Sequence, residues 1–488
     1  MDREVELKFL CAPEHLGAVL AAAPAGDDES HELISVYFDT PDLILQKAGA
    51  SLRVRESKGR RVQTLKRGQG LSREEHEAPI PGDRPDPALG PLKELLGGDD
   101  QLSAAFNVCV TRRQRLIRLG AAEIELALDQ GEVSGGRRSS PISEVELELK
   151  AGEPAALFDL ARLLSQAAPL YLSFDGKAAR GQALAAGAPL RSRRAEPVKL
   201  ARKATSAEAF QAIARNGLGQ LAANGVVLRE GGAGDPEATH QLRVAIRRLR
   251  SALATFGPLL AGAELDAIKG ELKWLAAQSD RARNLDVFAD ALVAAGAGQV
   301  SIATGLPELA RAVEAARSQA RLALVEAVSS ARFRALVLEL AAWAETGPWL
   351  AGPKVGDPVV RLAGKALARR WRKVAQLGRD LAQADDEARH HLRIEAKKLR
   401  YATDALASLY PARPVRRFLT RLKALQEELG ALNDIATAEP LVAGLTLSQP
   451  AAFAAGELAG LRAAGKAQRL ARAAKAFDRL MDAPPPAR

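Results

Sequence analysis

Charged and apolar residues alternate with a period of two in the opening stretch Glu4-Val-Glu-Leu-Lys8, and the same alternation returns at 52–55, 64–66, 73–77, 123–126 and 144–149. A strand written this way sends Glu4, Glu6 and Lys8 to one face and Val5 and Leu7 to the other. Strands are therefore predicted at each run, together with a strand at 36–40, a hairpin turn at Lys58-Gly59 and short helices at 13–23, 91–96 and 155–166. The Gly- and Ser-rich stretch 130–141 reads as a link between strands. Two arrangements suit such a sheet. Its charges can form solvated salt-bridge ladders on an open face, or the sheet can close into an antiparallel barrel whose polar faces share a water-filled interior.

The pattern changes after about residue 190. Residues 191–205 are mostly Ala, Gly, Pro and Arg without period, as in a linker. From 206 to 488 the sequence is Ala- and Leu-rich, with helical spacing broken at Gly- or Pro-rich points near 231–236, 257–258, 347–358 and 411–414. An internal repeat organises this half. Residues 240–250 align with 390–400 at an offset of 150, and Leu272-Lys273-x-Leu275 matches Leu422-Lys423-x-Leu425 at the same offset. The fold class expected is thus α+β and multidomain: a 1–190 antiparallel barrel with flanking helices, then an all-α domain of two helical bundles, about 206–346 and 356–488, related by a pseudo-twofold.

On a helical wheel His240, Arg243, Arg247 and Arg250 fall within one arc of about 80°, with Leu242, Ile246, Leu249 and Leu253 in a separate arc. His390, Arg393, Lys397 and Arg400 repeat that stripe, with His391 beside it, and Arg248, Lys273, Lys398 and Lys423 lie at its flanks. Glu partners at i and i+4 are missing from the stripe, which favours a polyanion over a merely solvated face. The histidines are read as phosphate donors, the other reading being a buried hydrogen-bonded His240.

Charge sharpens this division. The chain of 488 residues carries +10 overall, but residues 1–190 hold 23 Lys and Arg against 29 Asp and Glu, a net −6, and the remainder holds 46 against 30, a net +16. A composition 47% hydrophobic and 26% charged is that of a globular chain. Cys11 and Cys109 stand far apart and are expected as reduced core residues, not a disulfide or zinc set. No run of eighteen apolar residues occurs and the start lacks a signal-peptide h-region, so a cytoplasmic location without membrane partners is expected.

In the first half, grouped carboxylates suit a hard divalent cation and grouped Arg and Lys suit phosphate oxygens, so the polar face suggests a metal-assisted site for a short polyanion. The ordered set Glu4-x-Glu6-x-Lys8, Arg53 and Arg55, Lys66, Arg73 and Glu75, Arg112, the run 123–131 with Asp129, Glu146 and Glu148, and Lys177-Ala-Ala-Arg-Gly181 resembles the CYTH superfamily of triphosphate tunnel metalloenzymes. The serine usual beside the lysine is missing, and Gln182 replaces an aromatic. The resemblance implies hydrolysis of inorganic triphosphate with Mg²⁺ or Mn²⁺. It assigns phosphate binding to Lys8, Arg53, Arg55, Lys66, Arg73, Arg112 and Lys177, metal binding to Glu4, Glu6, Asp129, Glu146 and Glu148, and catalysis to Glu4, Glu6, Lys8, Lys66 and Glu75.

The helical half resembles the CHAD domain, through Asp235, Glu237, His240, Arg243 and Arg247 and their counterparts from His390 or His391 to Tyr401. That implies inorganic polyphosphate as partner and association with polyphosphate granules. Other functions stay open at this point: a class IV-type adenylate cyclase or another hydrolase of nucleoside or organic triphosphates, a non-enzymatic polyphosphate-binding protein, and a nucleic-acid binder. The last is disfavoured because aromatics, 4% of the chain, leave few stacking platforms for bases.

Overall fold

The computed structural model describes residues 3–68, 72–97, 100–188, 190–231, 235–260, 262–297 and 305–486. They form two compact units, Met1–Ser192 with Ser330–Thr346, and Arg193–Ser329 with Gly347–Arg488.

The first unit is built on nine strands: β1 (Arg3–Leu10), β2 (Asp28–Asp39), β3 (Ala50–Ser57), β4 (Arg60–Arg67), β5 (Ser72–Pro79), β6 (Ser103–Leu119), β7 (Ala122–Gly135), β8 (Arg138–Ala151) and β9 (Tyr171–Ser173). They join antiparallel in the order β5-β4-β3-β2-β6-β7-β8-β1-β9, and β5 also pairs with β1 through Arg3↔Glu74, Glu4↔Arg73 and Val5↔Ser72. Lys58 and Gly59, with φ of 50° and 74°, turn β3 into β4, the left-handed pair that a two-residue hairpin requires. The expected link at 130–141 is instead ladder: β7 and β8 run on in register from Gln130↔Ser143 to Gly135↔Arg138. Small residues suggested a loop there, yet Gly131 serves close packing, since a Cβ would stand 2.1 Å from the Cys109 carbonyl oxygen. Cys11 is buried but Cys109 is exposed; its neighbours Val108 and Val110 take the inward positions of β6, so the alternation turns it outward.

Helices α1 (Leu16–Ala22), α2 (Ile44–Lys47), α3 (Gly90–Lys93), α4 (Ala155–Ala167) and α5 (Lys177–Ala185) accompany the sheet. The apolar positions of alternation, Leu7, Phe9, Leu126, Val145 and Leu147, are buried, and the buried residues of α4, which packs on β8, are Leu157, Phe158, Leu160, Ala161 and Leu164. Leu52, Val54 and Leu65 pack with Leu45 of α2 and Leu92 of α3. The polar positions are buried as well, among them Glu6, Lys8, Arg53, Arg112 and Asp129. These buried charges are not solvated ladders, although exposed pairs such as Arg118–Glu123 and Lys58–Glu29 are.

The second unit is helical: α6 (Ser206–Glu230), α7 (Pro236–Thr255), α8 (Ala263–Ala297) and α9 (Leu306–Ser329), then, after α10 (Ala331–Thr346), α11 (Val359–Leu377), α12 (Asp386–Ala405), α13 (Ala412–Ala443), α14 (Gln449–Ala464) and α15 (Lys466–Met481). Side-chain caps begin several of them. Thr205 and Glu208 form a capping box on α6, and Asp235 and Asp385 accept from the first-turn amides of α7 and α12. The α10 helix, placed by sequence in the first helical repeat, groups with the first unit, where Glu339 takes both Arg162 Nε and Nη2 of α4 at 2.8 Å and Arg334 lies over the Tyr171 ring. No helix among the described residues is long and apolar enough to cross a membrane.

Candidate functional site

The inward face of the sheet encloses a cavity of about 330 Å³. Strand register sets its wall. Lys8 of β1 lies opposite Glu146 of β8, Arg112 of β6 opposite Asp129 of β7, and Lys66 of β4 opposite Glu75 of β5. The first residue of α5 joins them: Lys177 Nζ stands 2.7 Å from Asp129, 2.9 Å from Glu144 and 2.8 Å from Glu146. Arg112 grips Asp129 with two bonds of 2.7 and 2.6 Å and Glu146 with one of 2.6 Å, while Lys8 reaches Glu146 at 2.9 Å. Burial penalises every charge here, but the opposing charges win. Asp129, Glu144, and Glu146 hold the Lys177 ammonium well above its ordinary range, and Lys177, Lys8 and Arg112 hold Glu146 well below its own.

Elsewhere on the wall like charges crowd. Burial and then the Glu6 carboxylate push Glu4 up, with Glu75 adding to the rise, although Lys66 Nζ lies 2.9 and 2.7 Å from the Glu4 oxygens. Glu148 is likewise raised by burial, with Glu4 and Glu125 contributing, although Lys150 sits 2.7 Å away. The cations have their own crowding: burial, Arg53 and Arg112 push Arg55 down to about 10. Tyr37 closes this part of the wall, stacked on Phe106 with centroids 4.6 Å apart, and its hydroxyl is held below its usual range because Arg53 and Arg55 outweigh burial. One cavity thus holds the carboxylates Glu4, Glu6 and Glu148 on its wall together with Arg55, a cation crowded by Arg53 and Arg112.

The α5 helix comes close to this stack. A Cβ at Gly181 would stand 2.0 Å from the Phe106 ring, which accounts for the glycine four residues after Lys177. Gly181→Ala is expected to destabilise the first unit by about 1–3 kcal/mol through overpacking, read as a lower melting temperature in calorimetry; an unchanged transition would show that α5 can withdraw.

In the second unit α7 packs on α12 and joins their basic stripes. Burial, then Arg393, Arg247, Arg243 and Arg400, push Lys397 down to about 7. Arg247 Nε donates to the Tyr401 hydroxyl at 3.0 Å, and Arg400 lies over the Tyr401 ring at 4.9 Å.

The family model for the CYTH domain matches residues 2–181 and that for the CHAD domain residues 212–443. The crystal structure of the CHAD domain from the plant Ricinus communis is 31% identical, with a TM-score of 0.52, covering 59% of this chain and 96% of that one. The chain belongs to the CHAD family and carries a CYTH domain ahead of it. An inorganic triphosphatase from Haemophilus influenzae is 32% identical over 197 residues, 38% of this chain; the chain spans about half, 55%, of that relative's length. HpAC1 from Hippeastrum, a protein with a dominant triphosphatase activity, is 20% identical with a TM-score of 0.28, covering 39% of this chain and 97% of that one.

Of the residues singled out by sequence in the CYTH domain, Glu4, Glu6, Lys8, Arg53, Arg55, Lys66, Glu75, Arg112, Glu146, Glu148 and Lys177 all line the cavity. Asp129 does not. It is 0% exposed behind the wall, its carboxylate paired with Arg112 and Lys177. The Arg73 side chain lies outside the described residues. Among the described residues no three His, Cys, Asp or Glu side chains converge at metal-ligating spacing. Sequence reading missed Tyr37 and His31, because Leu33 between them interrupts the polar pattern of β2.

In the CHAD domain Arg243, Arg247, Arg393, Lys397 and Arg400 influence one another, whereas Arg250, Lys273 and His391 are merely exposed. The acidic partners thought missing exist at the margins: Arg243 pairs with Asp280, Lys398 with Glu395 at 2.7 Å and Lys423 with Glu427 at 3.6 Å. Arg248 donates to Asn216, His390 meets Asn433 at 2.8 Å, and His240 is half-buried.

Proposed function

We propose that the CYTH domain is a barrel whose polar interior hydrolyses inorganic triphosphate with a divalent cation, and that the CHAD domain binds inorganic polyphosphate. The observation that carries the first part is the separation of charge inside one buried cavity, with cations crowded at Arg53, Arg55 and Arg112 and carboxylates at Glu4, Glu6 and Glu148. The β1–β5 pairing supports a sheet wrapped round that cavity, and the triphosphatase relative supports the substrate.

Buried carboxylates gathered on one wall, Glu4 and Glu148 raised by burial and then by neighbouring carboxylates, suit a cation. Glu4, Glu6 and Glu148 would hold Mg²⁺ or Mn²⁺ through few direct bonds, as fits a metal that keeps several waters and takes phosphate oxygens. When bound, it would neutralise charge on the phosphates and leaving oxygen. The chain's own residues do the rest. Arg53, Arg55, Lys8 and Lys66 hold the phosphate oxygens; Glu4, made more basic by burial and by Glu6, takes a proton from the attacking water. The water oxygen bonds to the terminal phosphorus, the bridging P–O bond breaks, and pyrophosphate and orthophosphate leave. Scarce aromatics on the wall favour triphosphate over a nucleotide, whose base would need a platform.

Phosphate release from triphosphate, ATP and long polyphosphate, with and without Mg²⁺, tests this reading, and metal-dependent turnover greatest on triphosphate is expected. Glu4→Gln should lose most of that turnover, about a hundredfold or more, with circular dichroism unchanged, because Glu75 at 3.2 Å still balances Lys66. Retained turnover in the variant, or ATP as the best substrate, would overturn it.

A further inference from the structure

A second cavity, of about 500 Å³, lies within the helical unit away from the stripes of α7 and α12. Its trough is aliphatic, made by Pro258 and Leu259 after α7 and by Leu362 and Ala366 of α11. Along the same α11 face Arg361, Lys365, Arg369 and Arg372 are all exposed. The spacing strings them over about 16 Å of helix. None has an ion pair or side-chain hydrogen bond among the described residues. Asp357 is the one acid among the lining residues.

Arg370 sits beneath this surface, 7% exposed, its Nη2 donating to the lining residue Thr255 at 3.2 Å while its Nε has no partner. A buried guanidinium short of an acceptor adds positive potential under an aliphatic trough. The feature is absent from the first repeat. The burial pattern of α6 matches that of α11 at the 150-residue offset, with Ala209, Ile213 and Leu221 opposite Val359, Ala363 and Trp371. There the counterparts of Arg361, Lys365, Arg369, Arg370 and Arg372 are Gln211, Arg215, Gly219, Gln220 and Ala222. The duplicated stripe does not account for this cationic groove.

We propose that the groove is a separate binding site for an anionic amphiphile: an aliphatic chain in the trough and a phosphate-type head on Arg361, Lys365 and Arg369. A cavity of this size is that of a small-molecule site. Aliphatic walls without Phe, Tyr or Trp suit a hydrocarbon chain and offer nothing for a nucleobase to stack on. Several unpaired cations at one rim supply the head's counter-charge, and Arg fits phosphate bidentately.

The test is calorimetric titration of the full chain with dodecyl phosphate below its micellar concentration, with inorganic phosphate and dodecanol as head and tail alone. Saturable binding of dodecyl phosphate is expected, with either fragment at least about tenfold weaker. R361E/K365E, both exposed and so harmless to folding, should weaken dodecyl phosphate about tenfold or more. R472E/K475E, an equal charge change on the exposed face of α15, should leave it within about twofold. Equal loss in both double variants would reduce the effect to general charge and overturn the site. So would inorganic phosphate binding as tightly as dodecyl phosphate. The site is independent of triphosphate turnover, which neither variant should alter.

Discussion

Lys177→Met is expected to lower the stability of the β-rich unit by about 3–5 kcal/mol, the cost of removing one partner from a buried ion cluster. Its ammonium lies within 2.9 Å of Asp129, Glu144 and Glu146, the first two 0% exposed. Arg112 remains as a partner for Asp129 and Glu146 but the nearest cation left to Glu144 is Arg180 at 3.3 Å. The same cluster is expected to weaken the unit in acid. Asp129 and Glu146 are held below their ordinary values by Lys177 and Arg112. Their contribution is therefore complete above the unperturbed carboxylate range, about pH 4, and is lost as pH falls below it. Differential scanning calorimetry of wild type and Lys177→Met at pH 7 and pH 3 reads both effects: a large gap in melting temperature at pH 7 that narrows in acid. If the variant melts like wild type at pH 7 and only KM for triphosphate rises, Lys177 is a substrate ligand alone and the structural role is wrong.

That prediction also marks where the sequence stops. Alternation at 4–8, 52–55, 64–66 and 144–149 placed the strands and the face each charge occupies, because a period of two leaves no freedom once one face is apolar. It could not divide the buried charges between those that serve each other and those left facing the cavity. The CYTH resemblance assigned Asp129 and Glu146 to the metal along with Glu4, Glu6 and Glu148. Register, not alternation, sets Arg112 of β6 beside Asp129, and α5 brings Lys177 to Asp129 and Glu144 from 48 and 33 residues away in sequence. Composition also misled at 130–141, where Gly and Ser suggested a loop but Gly131 lets β6 and β7 approach. In the helical half the 150-residue repeat showed α7 and α12 as equivalents. That Lys397 would be surrounded by cations of both helices depended on their packing together, which no wheel drawn for one helix contains.

Binding of long polyphosphate to the CHAD domain is expected to weaken as pH rises above about 7, and this dependence should vanish in Lys397→Arg. Lys397 is pushed down to about 7 by burial and by Arg393, Arg247, Arg243 and Arg400, while Asp280 beside Arg243 and Asp434 near Arg393 offset only part of that field. Because its folded value lies below the unfolded one, a charged Lys397 costs the free protein stability, a cost complete below pH 7 and absent at high pH. A polyanion reverses the balance by supplying the missing negative charge, so binding favours the protonated lysine and above pH 7 takes up as much as one proton. Linkage then gives a fall in affinity of up to about tenfold per pH unit above 7. Arginine stays charged throughout and removes the slope without removing the site. Reversing Arg243, Arg247, Arg393 and Lys397 to Glu should abolish polymer binding while triphosphate turnover persists, since none of these residues lines the CYTH cavity. The measurement is a titration with long polyphosphate from pH 6 to 9 at fixed salt, because counterion release makes affinity salt-dependent. A wild-type affinity that is flat across this range, or a Lys397→Arg variant that keeps the wild-type slope, would mean that the lysine is already paired when the polymer arrives.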